Sequence, residues 1–163
     1  MPGFEPSASA WHEYEFTWTP DYIAWAIDGA EVRRASSRQT NVREMDKEQL
    51  LFVNFWVPGW DWGNGLSPGD MPFYTRFDYV EAYDYDVASG QFALRFRDDF
   101  DTLNRNIWRV SQDWTFPDNE ATFMENHAYV ENGQLVLKLD RELAPAPTPG
   151  PSPGPSPGPS PGP

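Results

Sequence analysis

The chain has 163 residues, eight tryptophans, no cysteine and a formal net charge of −13, with a pI near 4.3. Acid on this scale repels a phosphate backbone, and no basic run exceeds the pair Arg33 and Arg34, which excludes nucleic acid as a partner; neutral polymers stay open, because stacking and hydrogen bonding need no net charge. Without cysteine there is no disulfide framework and no thiolate metal centre, and no apolar run reaches the ~20 residues of a membrane-spanning helix, so no membrane partner is expected.

The opening MPGFEPSASAW lacks the basic start and apolar middle of a secretion leader. From residue 10 to 140 the dominant hydrophobic period is two, which predicts strands. In WHEYEFTW, His12, Tyr14, Phe16 and Trp18 alternate with Glu13, Glu15 and Thr17. YIAWAIDGAEV places Ile23, Trp25 and Ile27 on one face and follows them with Asp28 and Gly29, a pair that accepts the positive φ angles of a tight hairpin turn. The polar run RRASSRQTN has no alternation and reads as loop. LLFVNFWV is a predicted strand with Phe52, Asn54 and Trp56 on one face and Leu51, Val53 and Phe55 on the other. FDYVEAYDY, FALRF and the pair HAYVENGQLVLKL, turning at Asn132 and Gly133, complete the set. Six or more short strands and no amphipathic helix predict an all-β, antiparallel sandwich.

Residues 144–163 are rich in Pro and from Gly150 repeat Gly-Pro-Ser-Pro every four positions, which fails the three-residue period of collagen. Dense proline predicts an extended, disordered linker that joined a further module. The sandwich is therefore confined to residues 1–143. Single-domain sandwiches often run to about 200 to 250 residues, so an incomplete one is expected.

VREMDKEQ contains E-x-D-x-E at Glu44, Asp46 and Glu48. A strand would put the three acids on one face, as a pair of catalytic carboxyls needs, but Met45 and Lys47 would then point inward, where an unpaired ammonium is costly. Arg43 and Lys47, four apart among acids, fit a solvated loop or a helical turn, so no residue is assigned as catalytic. The acids of RDDFD and YDYD sit at strand ends and form no such pair.

WHEYEFTWTPDYIAWAIDGAEVRR resembles the outer strand pair of the family 16 glycoside hydrolases, the β-glucanases, and LLFVNFWVPGWDWGNG and FDYVEAYDYD resemble that family's next two landmarks. The segment RDDFDTLNRNIWRVSQDWTFPDNEATFMENHAYVENGQLVLKL then resembles what is usually the beginning of the domain. That order is similar to the circularly permuted, rumen-type 1,3-1,4-β-glucanases or lichenases, and the likeness covers about residues 8–140.

The resemblance implies a concanavalin-like jelly roll that binds β-glucan along a groove. It implies a retaining mechanism with two glutamates, whose E-x-D-x-E strand would lie before His12 and is expected to be missing from this chain. The chain alone is thus expected to be inactive, and secretion is implied by the family and the linker. Trp56 matches a family tryptophan that stacks on glucose, with Asn54 beside it. Trp62 matches a second on the following loop, with Trp60 as a competitor, and Trp114 matches the aromatic of the late segment. For each of these tryptophans a core role is the competing reading, whereas Trp18, Trp25 and Trp108 read as core or sheet-surface residues. A structural Ca2+ is implied at Asp78, Asp99 and Gly133, since oxygen ligands at strand ends suit this hard cation; acids and a turn glycine without an ion are the alternative. The competing function is a non-catalytic glucan-binding jelly roll.

Overall fold

A computed structural model describes residues 10–36, 38, 42, 44, 45, 47–59 and 68–141. Asp46, Trp60, Trp62 and the Gly-Pro-Ser-Pro repeat lie outside the described residues. The architecture is all-β and antiparallel, as the period of two predicts, with eight strands in three sheets among the described residues.

The first sheet runs β1 (Tyr14–Trp18), β2 (Tyr22–Ile27), β3 (Ala30–Ser36) in sequence order. Its two turns follow from local chemistry. Thr19, 2% exposed, uses its Oγ1 to donate to the Tyr22 carbonyl (3.2 Å) and to accept from the amides of Asp21 (3.3 Å) and Tyr22 (3.1 Å), around a Pro20 that presets its own φ. Asp28 and Gly29 adopt φ of 50° and 74°, the double positive pair of a type I′ hairpin. The Asp28 carboxylate then takes His12 Nδ1 at 2.8 Å and the Glu13 amide at 2.9 Å, and the His12 bond, followed by the amide, holds its pKa below the usual value. The register sets Tyr14 opposite Ile27, Phe16 opposite Trp25 and Trp18 opposite Ile23. One face is thereby apolar: Ile23, Ala35 and Val42 are buried there, with Trp18, Trp25 and Met45 packed against them.

A second sheet is the hairpin β5 (Val80–Asp86) and β6 (Gln91–Asp98), closed by a turn in which Asp86 accepts from the Ala88 amide and Ser89 Oγ, and Gly90 takes φ 70°. The third places β8 (Gln134–Leu139) between β4 (Phe73–Phe77) and β7 (Ala128–Glu131). Leu135, Val136, Leu137 and Leu139 are all buried on this central strand, with Gln134 and Lys138 half-buried among them. Asn132 and Gly133 turn at φ 54° and 72°, as predicted.

Two predicted elements differ and one strand was not predicted. LLFVNFWV forms no strand: Leu50, Leu51, Phe52 and Asn54 are exposed, and the first paired backbone is the single bridge of Pro58 with Asn119. An alternating pattern becomes a strand only where a partner supplies the ladder. FDYVEAYDY starts its strand at Val80, because Asp78 makes a bend, and FYTRF, not predicted, is β4.

Two units divide the chain: Met1–Asn54 with Phe77–Asn104 and Val130–Leu135, and Phe55–Arg76 with Arg105–Tyr129 and Val136–Pro163. In the first, Phe100 is fully buried at φ 54°, a left-handed conformation costly for a bulky residue, and its amide donates to Asp98 Oδ1 at 2.9 Å.

Candidate functional site: an aromatic platform

The second unit gathers four aromatic rings from two distant segments. The backbone clasps them first. The Glu120 amide donates to the Val57 carbonyl (2.9 Å) and the Gly59 amide to the Asp118 carbonyl (2.8 Å), so residues 57–59 lie along 118–120. Asn119 Oδ1 accepts from the amides of Val57 (3.3 Å) and Ala121 (3.0 Å), which ties both segments to one side chain. Trp114 and Phe123 pair through their own backbones, the Phe123 amide donating to the Trp114 carbonyl at 2.8 Å. Thr115 Oγ1 donates to the Ala121 carbonyl at 2.8 Å and holds the loop closed.

On this frame Trp56 meets Phe116 at 5.2 Å between ring centroids, tilted by 60°. Phe116 meets Trp114 at 5.8 Å, and Trp114 stacks on Phe123 at 5.5 Å with 17° between planes. Trp114 remains 52% exposed, whereas Trp56, Phe116 and Phe123 are half-buried. The arrangement is a supported platform: Phe116 and Phe123 hold Trp114, Trp56 backs Phe116, and an indole held rigid with one side in solvent can pack on the C–H face of a sugar with little further loss of rotamer freedom.

Of the predicted binding residues, Trp56 and Trp114 come together through Phe116. Asn54 is exposed and belongs to the other unit, and Trp62 lies outside the described residues. Phe116 and Phe123 were not predicted. Phe116 was legible, since it follows Trp114 by two in an extended run and so shares its side; Phe123 was not, because only the backbone pairing brings it there.

Glu44 lies in a turn and is exposed, as is Glu48, so neither carboxyl sits on a strand or in an apolar setting. Among the described residues no three His, Cys, Asp or Glu side chains gather in a metal-binding group. The implied calcium ligands are in the first unit: Asp78 exposed at its bend, Gly133 in the hairpin turn, Asp99 exposed after β6. Their carboxylate and carbonyl oxygens are the donor type Ca2+ takes. Arg97 donates to Asp99 Oδ1 from Nε at 2.7 Å and from Nη2 at 2.6 Å, and this pairing lowers the Asp99 pKa while leaving Oδ2 outside the fork. The same guanidinium binds Glu81 Oε1 at 2.5 Å and lies 4.0 Å over the Tyr79 ring, whose hydroxyl donates to Glu13 Oε2 at 2.5 Å.

Comparison with known proteins gives the platform its context. The family model for glycosyl hydrolases family 16 matches residues 2–73, and a "Beta-glucanase" of Fibrobacter succinogenes is 31% identical over 138 residues, 82% of this chain and 39% of that protein. The chain belongs to glycosyl hydrolases family 16. A "Xylanase/beta-glucanase" of Ruminococcus flavefaciens is 56% identical over 82 residues, which is 48% of this chain and 9% of that protein. A "Beta-glucanase" of Paenibacillus polymyxa is 34% identical over 80 residues, 48% of this chain and 31% of that protein. The chain thus spans well under half the length of these relatives.

Proposed function

We propose that this chain carries glucan-binding surface of a secreted endo-β-glucanase acting on mixed 1,3-1,4-β-glucan, with Trp114 as the principal stacking residue. The half-exposed Trp114, backed by Phe116 and Phe123 and joined through Phe116 to Trp56, is the observation that carries the reading. The names of the Fibrobacter and Paenibacillus relatives support the polymer class. The circularly permuted order is supported by the contrast between a family match that stops at residue 73 and a relative that aligns over 138 residues.

In this reading the retaining reaction needs two carboxyls about 5 to 5.5 Å apart, one to attack the anomeric carbon and one to protonate the leaving oxygen. Glu44 and Glu48 do not serve, being exposed in a turn and loop. The chain's own work is to bind and orient: the indole takes the sugar face, and the clasp at Asn119 keeps Trp56 and Phe116 in place behind it. A structural Ca2+, held by Asp78, Asp99 and the Gly133 carbonyl, would supply rigidity to strand ends and no chemistry.

The test is retardation of the purified chain in gels containing barley mixed-linkage β-glucan, with reducing-end release assayed in parallel. Trp114→Ala should weaken retention roughly tenfold, the equivalent of ~1.4 kcal/mol, within the range of an aromatic packing contact. Reducing ends should not appear. Unchanged retention in the variant would remove Trp114 from the site, and hydrolysis lost in Glu44→Gln would restore the E-x-D-x-E motif as catalytic.

A further inference from the structure

The sheet of β1, β2 and β3 has two unlike faces, and only one is used by the core. On the other, the register sets Thr17, Ala24 and Arg34 in one row across the three strands and Glu15, Ala26 and Glu31 in the next. Two alanines on the central strand are therefore flanked on both edge strands by longer polar side chains. The result is a depression of about 220 Å3 with an alanine floor; Tyr22 and the Gly29 turn lie at its two ends along β2, and Phe92 of β6 adds an aromatic wall. The flanking strands are ~10 Å apart, two strand spacings.

Its chemistry is narrowly defined. Arg34 is bound in a fork by Glu31, Nε to Oε1 at 3.0 Å and Nη2 to Oε2 at 2.5 Å, and its guanidinium carbon lies 3.8 Å over the Tyr22 ring. That pair is neutral as a unit and held flat. Thr17 Oγ1 donates to Glu15 Oε1 at 3.0 Å. The polar groups at the rim include the Arg34 guanidinium, a donor, on one edge and Glu15 Oε2, an acceptor, on the other. An anion would meet Glu15, Glu31 and a chain of net charge −13, and with Arg34 neutralised by Glu31 the depression's one uncompensated charge is the Glu15 carboxylate, itself bonded by Thr17. A hydroxyl both donates and accepts, so a ring carrying several can satisfy the two edges while its C–H face rests on alanine and phenylalanine.

We propose that this depression is a second carbohydrate site, taking one neutral sugar ring of a glucan chain and built from none of the residues of the Trp56 and Trp114 platform. It rests on the glucan reading for the identity of the polymer. Two weak sites on one polymer raise retention without a new contact at either, since the second encounter becomes intramolecular.

The test is a titration of the full chain with a mixed-linkage β-glucan trisaccharide, following backbone amides and indole N–H groups by NMR. The amides of Thr17, Ala24, Ala26 and Arg34 should shift and saturate, separately from the Trp114 indole. Ala26→Leu, which fills the floor, and Glu15→Ala, an exposed change that leaves folding intact, should each weaken binding at those amides roughly tenfold and leave the Trp114 response unchanged. Shifts confined to the Trp114 indole, or insensitive to both variants, would overturn the site. An equal response to n-butylammonium or to inorganic phosphate would overturn its neutral-sugar chemistry. Shifts at the depression with none at Trp114 would leave this site standing and sink the platform instead.

Discussion

Trp114 and Asp99 illustrate how a side chain's immediate neighbours decide what it can do. Trp114 is half exposed, yet it is held by stacking on Phe123 and by the paired backbone beneath both, so its ring is offered to solvent without being free to turn. Asp99 is also exposed, but one of its oxygens is already taken by Arg97, and a calcium ion there would have to use Oδ2 or displace the guanidinium. Divalent charge on several oxygen ligands outweighs one surface ion pair, which is worth about 0–1 kcal/mol. Calcium is therefore expected to raise the thermal midpoint relative to EDTA, by a stabilisation of about 2.7 kcal/mol when the ion is at 100 times its Kd. Asp99→Asn should abolish most of that increment. Identical midpoints in calcium and EDTA would dismiss the ion.

At the scale of elements, the platform depends on a clasp between loops. Residues 57–59 and 118–120 are irregular backbone joined by three amide-to-carbonyl or amide-to-side-chain bonds, and Asn119 supplies the acceptor for two segments at once. Its Nδ2 is buried and unpartnered, a cost accepted to place Oδ1. Removing the side chain would leave the Val57 and Ala121 amides without their acceptor. Asn119→Ala should destabilise the protein by about 1–3 kcal/mol in urea unfolding and weaken glucan retention, although Asn119 itself need not touch sugar. A variant of normal stability and normal retention would show that the aromatic rings, not the clasp, set the geometry.

For the molecule as a whole, charge is the governing quantity. Besides Asp99 and Glu81, which share Arg97, four carboxylates spread along the chain are held below their ordinary values. Asp28 is held by His12 and the Glu13 amide, Glu31 by Arg34, Asp86 by Ser89 and the Ala88 amide, and Asp140 by Lys138 and the Arg141 amide. A carboxyl lowered in the folded state contributes its full stability above the unfolded value, 3.8 for Asp or 4.5 for Glu, and loses it as pH falls through the folded value. The thermal midpoint should thus hold steady from neutral pH to about 5 and fall below about 4.5. Asp28, Glu31 and Asp86 are solvent-exposed and Asp140 is half-buried, so 1 M salt, with a Debye length near 3 Å, should blunt the fall. A midpoint that rose on acidification would mean that relief of self-repulsion in a −13 chain outweighs these local bonds.

The sequence by itself determined what depends on neighbours in the chain. The alternation of Tyr14, Phe16 and Trp18 and the Asp28-Gly29 and Asn132-Gly133 turns were readable because strand faces and positive φ are local properties. The exclusion of nucleic acid rested on charge alone, and the family landmarks were short contiguous motifs. Tertiary structure alone decided the rest. LLFVNFWV has a strand's pattern and is not a strand, since a ladder requires a partner the residues cannot name. Phe123 joined the platform, and two alanines became the floor of a depression, only when backbone pairing set distant residues side by side; register across strands is a property of the fold, and no single run of sequence contains it.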